Sequence, residues 1–207
     1  SGATLVVVQT TSLGQWIREI VNSAPHLSIC MLYDKRETNP VSIAGYDVVV
    51  TTYDIAQRDI LILFKIDWHR VIYDEAHMLM NTNTARTRNL RNIHANSYWA
   101  ITGTPYNKEL SEIHGILTTL NFPDLNVYPQ SSFSSSRFSV NSAGNFPTFG
   151  YIFNKIAMRH TKTQPFNGRK QLISLHCRHY HQYNVPMTEM EQRIYDIVYS
   201  IAHQRFT

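Results

Sequence analysis

The chain has 207 residues, 43% of them hydrophobic and 16% charged, a globular composition with length for a sizeable core and not that of a disordered chain. No apolar run approaches the ~18 residues of a membrane span, Ser1 to Val8 lack the basic stretch of a signal peptide, and two cysteines, Cys30 and Cys177, are too few for a disulfide framework. A reducing compartment and no membrane partner are therefore expected, and the net charge of +4 is compatible with an anionic partner.

Leu5-Val6-Val7-Val8 is a continuous β-branched run, the mark of a strand covered on both faces. Leu13, Trp16, Ile17, Ile20, Val21 and Ala24 then fall at helical spacing, with Ser12 and Gln15 as a capping box and Pro25 as the stop. Further strands are expected at Ile29 to Tyr33, Val48 to Val50, Val71 to Tyr73 and Tyr98 to Ile101. A polar segment from Thr84 to Asn92 reads as an exposed helix, and Leu110, Ile113, Ile116, Leu117 and Leu120 form another helical face. Strands alternating with helices predict an α/β fold with a parallel sheet. Trp16 and Trp99 lie on otherwise apolar faces and are expected in the core.

The texture changes after Asn121. Residues 122–148 are rich in Ser, Asn, Pro and Phe and predict a loop or insertion. Phe149, Ile152, Phe153, Ile156 and Ala157 suggest a short helix, and residues 171–185 alternate as a strand would. A last helix is expected from Thr188, boxed by Glu191. Cys177, His179 and His181 share one face of that alternation, which invites a zinc reading; same-face neighbours on a strand sit roughly 6–7 Å apart, so a polar strand is the better description. Arg86, Arg88 and Arg91 read as a solvated helix face.

Val71-Ile72-Tyr73-Asp74-Glu75-Ala76-His77 carries the chemistry: a hydrophobic strand ending in adjacent carboxylates. The first carboxylate, at the tip, suits a hydrated Mg²⁺ on a nucleotide, and the second suits an attacking water. Thr102-Gly103-Thr104-Pro105 ends another strand, with hydroxyls suited to linking a phosphate site to a neighbouring segment. Asp47 to Tyr53 is a strand ending in Thr51, Thr52 and a tyrosine, where hydroxyls and backbone N–H groups suit a nucleic-acid phosphate.

In order and spacing these pieces resemble the Swi/Snf-related family of superfamily-two DNA translocases. Leu5 to Ile20 resembles motif Ia, Asp47 to Tyr53 motif Ib, Trp68 to His77 motif II and Tyr98 to Pro105 motif III. Met158-Arg159-His160-Thr161-Lys162 resembles an element near the end of the first lobe, and the segment from Val185 to Tyr195 the strand and helix that lead toward the second lobe. Trp99-Ala100 and the Trp68-His69-Arg70 lead-in point to the branch of post-replication-repair and helicase-like transcription factor proteins. The resemblance implies a RecA-like lobe, a parallel sheet flanked by helices, of an ATP-dependent double-stranded DNA translocase acting in chromatin remodelling or DNA repair. It implies ATP and Mg²⁺ as cofactors and a nuclear location. The implied partners are double-stranded DNA, free or in nucleosomes, and a second RecA-like lobe. Asp74 would hold the metal and Glu75 activate water. His77, Thr102, Gly103 and Thr104 would couple the nucleotide to the DNA, and Ser12, Thr51, Thr52 and Lys162 would contact DNA phosphates.

Three departures stand out. Gly-x-x-x-x-Gly-Lys-Ser/Thr, the family's phosphate-binding loop, occurs nowhere in the 207 residues, and Gly168-Arg169-Lys170 fails the pattern. The loop and its strand are expected upstream of residue 1, so the lobe is incomplete and the chain alone is expected to be inactive. Asn107-Lys108 stand where Gln-Asn is usual after motif III, and Gln9 stands where motif Ia has a proline. The expected organisation is a lobe core over residues 1–121, the loop or insertion over 122–148, and the end of the lobe with the start of a connector over 149–207. Two rivals remain: an RNA helicase lobe, against which Thr102-Gly103-Thr104 counts where Ser-Ala-Thr is usual, and a non-hydrolysing DNA- or protein-binding module derived from the same lobe.

Overall fold

A computed structural model describes residues 2–33, 39–105, 111–122, 155–161, 164–165 and 179–206. The chain divides into two units, Ser1–Ile156 and Ala157–Thr207. The first is built on five parallel strands: β1 (Thr4–Val8), β2 (Ile29–Leu32), β3 (Val48–Thr52), β4 (Trp68–Asp74) and β5 (Ala95–Ile101). Their spatial order is β2-β3-β1-β4-β5. The strands after β1 are first laid to one side of it and then, from β4 onward, to the other. Parallel strands need crossovers, and the crossovers lay helices over the sheet.

Alternation sorts the side chains of the central strands. Leu5, Val7, Val49, Val71 and Tyr73 enter a large core with Ala56, Leu63, Leu90 and Ile116. These come from α3 (Tyr53–Arg58), α4 (Ile60–Leu63), α5 (Ala85–Leu90) and α6 (Ser111–Thr119). Val6, Val8, Val48 and Val50 form a second core with Leu13, Trp16, Ile17 and Ile20 of α1 (Leu13–Ser23). Burying each such aliphatic side chain is worth about 1.5–3 kcal/mol, which is why uninterrupted Val runs occupy the middle of the sheet.

The five strands expected between Leu5 and Ile101 form. The short helices α2 (Pro40–Ala44), α3 and α4 go unsignalled by periodicity, because none spans two full turns. Local caps hold two of them: Asn39 accepts from Val41 N ahead of Pro40, and Thr52 from Ile55 N. The expected capping box at Ser12 does not form. A 3₁₀ turn, Thr10–Ser12, runs straight into α1 and leaves Ser12 in a helical conformation, whereas a capping side chain needs an extended backbone.

Trp99 is not in the core; it is 53% exposed. It pairs with Ile72 in the ladder, on the face covered by α1, but α1 packs over β1 and β3 and does not reach β5. The guanidinium of Arg70 lies 5.5 Å from its ring centre instead.

In the second unit, residues 179–188 have no regular structure and are exposed, so the expected strand is absent there: no strand among the described residues pairs with it. Residues 171–178, residues 123–148 of the expected insertion and residues 149–154 of the expected short helix lie outside the described residues. Helix α7 (Glu189–Phe206) starts as expected, with Glu191 accepting from Thr188 N and Thr188 Oγ1 at 2.8 Å each. Those bonds hold the Glu191 carboxyl below its ordinary range. No described helix is long and apolar enough to cross a membrane.

Candidate functional site

Because β1, β3, β4 and β5 are parallel, Gln9 to Ser12, Thr51-Thr52, Asp74-Glu75 and Thr102-Gly103-Thr104 all emerge at the same edge of the sheet. In open α/β sheets that carboxyl edge, at the point where the strand order reverses, is where ligands bind.

Asp74 is the last residue of β4 and is gripped at two points. Trp16 Nε1 donates to its Oδ2 at 2.8 Å, and Tyr53 Oη donates to its main-chain carbonyl at 2.7 Å. Glu75 then turns out of the strand with φ 49° and ψ 50°, a left-handed conformation that non-glycine residues rarely adopt. This reversal starts the 3₁₀ turn Ala76–Leu79, whose Ala76 and Leu79 are buried. Glu75 Oε2 lies 3.1 Å from His77 Nδ1, an ion pair when the imidazole is protonated, but out of line for a hydrogen bond.

Tyr53 is itself enclosed. Burial first, and the Asp74 carboxylate second, push its phenol well above the ordinary value, so it stays a neutral donor. The Arg86 guanidinium sits 5.8 Å from the Tyr53 ring centre and pairs with Asp54 at 2.8 Å. Arg86 Nε is buried and has no hydrogen-bond partner among the described residues. Tyr53, Asp54 and Arg86, with Gln9, Thr10 and Thr11, line an open cavity of about 260 Å³ beyond the ends of β1 and β3.

Asp74, Glu75 and His77 lie together on the end of β4 and the turn after it, with His77 beside Glu75. Thr102 to Thr104 arrive at the adjoining tip, where Ile101 pairs with Asp74. There Thr102 Oγ1 accepts from Thr104 N at 3.1 Å, and no described hydrogen bond joins this turn to His77. Thr51 and Thr52 lie at the correct edge but face inward. The Thr51 hydroxyl is buried and donates to Leu32 O at 2.9 Å, and Thr52 is buried as the cap of α3. Neither hydroxyl is presented to a phosphate, because a strand covered on both faces leaves no solvent side for its last side chains. Thr10 and Thr11 are the exposed hydroxyls beside the half-buried Ser12. Lys162 lies outside the described residues.

The sequence reading missed Trp16 and Tyr53 as partners of Asp74. One signal was available: a Trp or Tyr on an apolar face still has an N–H or O–H that needs an acceptor. Arg86 is likewise no simple solvated face; by contrast Arg88 donates to Asn83 O and remains exposed. Among the described residues no group of three His, Cys, Asp or Glu is placed to hold a metal ion by itself. Asp74 suits a magnesium ion whose other ligands are phosphate and water. It offers a hard carboxylate oxygen, Oδ1, to which no described residue donates.

A family profile described as SNF2-related domain matches residues 1–205. Transcription termination factor 2 of Drosophila melanogaster is 29% identical over 215 residues, covering 99% of this chain and 20% of that protein. Helicase-like transcription factor of Oryctolagus cuniculus is 27% identical over 209 residues, covering 95% and 20%. The chain thus spans about a fifth of the length of these relatives. Among solved structures, the Sulfolobus solfataricus SWI2/SNF2 ATPase core in complex with dsDNA superposes with a TM-score of 0.68 at 25% identity, over 79% of this chain and 34% of that one. The five-stranded parallel sheet with its flanking helices matches a RecA-like lobe of that core.

Proposed function

The chain belongs to the SNF2-related domain family, and from that premise we propose that it forms the first RecA-like lobe of an ATP-dependent double-stranded DNA translocase. This reading assigns the phosphate-binding loop and the second lobe to the rest of the parent protein. It also assigns DNA, free or in nucleosomes, as partner, and the nucleus as location. The match to the SNF2-related domain favours this reading over an RNA-helicase lobe.

The observation that carries the proposal is the edge itself: Asp74 held at both side chain and main chain, with Glu75 turned out beside it. Asp74 is the residue to hold Mg²⁺, which when bound supplies charge neutralisation on the nucleotide phosphates. Glu75, half-buried in its left-handed turn, orients a water and takes its proton at a carboxylate oxygen. His77, 3.1 Å from that carboxylate, is placed to sense its charge. The coupling residues Thr102, Gly103 and Thr104 sit on the next strand tip, and Ser12, with Lys162 from its sequence motif, remain the proposed phosphate contacts. Thr10 and Thr11 take the place proposed for the hydroxyls of Thr51 and Thr52.

In the intact parent protein, Glu75→Gln should retain ATP binding and lower turnover by at least roughly 100-fold, because the amide keeps the shape and loses the base. Turnover at the parent rate would remove Glu75 from the chemistry.

A further inference from the structure

We infer that Trp16 is a positioning residue that sets the plane of the Asp74 carboxylate; this rests on the nucleotide-site reading above. The terminal torsion of an aspartate is broad, so rotamer preference alone does not orient its two oxygens. Here one oxygen is claimed and the other is left open: Trp16 Nε1 donates to Oδ2 at 2.8 Å, and no described residue donates to Oδ1. The backbone is fixed independently, by Tyr53 Oη on the Asp74 carbonyl at 2.7 Å. Trp16 suits the task because an indole N–H only donates, so it neither competes for the cation nor exchanges protons with the site. Its ring is anchored in the apolar layer between α1 and the sheet, with Val6, Val8 and Val50, so its direction is set by packing. The clamp reaches from α1 across the end of β1 to the end of β4, two segments far apart in sequence.

The chain itself supplies a readout that needs no nucleotide. Its three tryptophans occupy distinct settings: Trp16 on Asp74, Trp68 buried with Nε1 on Leu63 O at 3.1 Å, and Trp99 half-exposed. In Asp74→Ala, the indole N–H resonance of Trp16 should move upfield and exchange faster with solvent, while that of Trp68 stays in place and reports an intact fold. A Trp16 signal unmoved by Asp74→Ala would overturn the inference.

In the intact parent, Trp16→Phe keeps an aromatic ring and removes the donor. It should raise the Mg²⁺ concentration for half-maximal hydrolysis roughly tenfold, as loss of an outer-shell partner does. Trp16→His, which restores a ring N–H, should recover part of that. A purely structural Trp16 would lower the melting temperature and leave the Mg²⁺ requirement unchanged, which would also overturn the inference. Failure of the nucleotide reading looks different: Glu75→Gln would still hydrolyse ATP, whatever Trp16→Phe does.

Discussion

Glu75 is held in a conformation that costs an L-residue roughly 1–2 kcal/mol, at the one place where the carboxylate must leave the strand and face outward. The buried Ala76 and Leu79 pay that cost by anchoring the turn that follows. Glycine adopts the same angles without a Cβ clash, though it loses more backbone entropy on folding. Glu75→Gly should therefore stabilise this chain by about 1 kcal/mol, read as a higher urea midpoint, while the parent protein carrying it loses hydrolysis. A lower midpoint would show that the Glu75 side chain contributes more to the fold than its backbone angles cost. Stability and activity are expected to move in opposite directions here, as they do where a site stores strain.

At the scale of elements, the turn that carries Glu75 and His77 is braced by α6. Gly115 of α6 is where the two backbones meet, because a Cβ there would collide with the main-chain carbonyls of Leu79 and Met80. Helix propensity alone would favour alanine at this position by about 1 kcal/mol. The backbone contact reverses that sign: Gly115→Ala should destabilise the chain by roughly 1–3 kcal/mol, since backbone atoms, unlike a flexible side chain, must shift as a unit. Thermal or urea unfolding checks the direction. A neutral or stabilising Gly115→Ala would mean that α6 does not press on this turn. The same packing supports the segment that carries the carboxylates proposed for catalysis, which is what a positioned base requires.

At the scale of the molecule, the parallel arrangement gathers five strand ends into one edge, where Thr10 and Thr11 are exposed. Hydroxyls and backbone N–H groups recognise phosphates and carry no base information. Duplex binding by the parent protein should thus be nearly insensitive to sequence. It should also fall by roughly 40-fold between ~50 and ~200 mM salt if three phosphates are neutralised. Titration of two unrelated duplexes at two salt concentrations tests both statements. Strong preference for one duplex, or affinity indifferent to salt, would argue against backbone tracking.

Much of the lobe was legible because its information is local. The Val runs of β1 and β3, the Asp74-Glu75 pair after an apolar strand and the Thr188-Glu191 cap are each encoded within a few residues, and periodicity or capping chemistry reads them directly. The order of motifs added the family, and with it the expectation that their ends share an edge. Tertiary structure alone decided which side chains face that edge. Thr51 and Thr52 turn inward because both faces of β3 are covered, and Trp99 stays exposed because α1 stops short of β5. Trp16 meets Asp74 across 58 residues of chain. Such contacts depend on how far a helix reaches over a sheet and on which strand lies next to which, quantities that no window along the sequence contains.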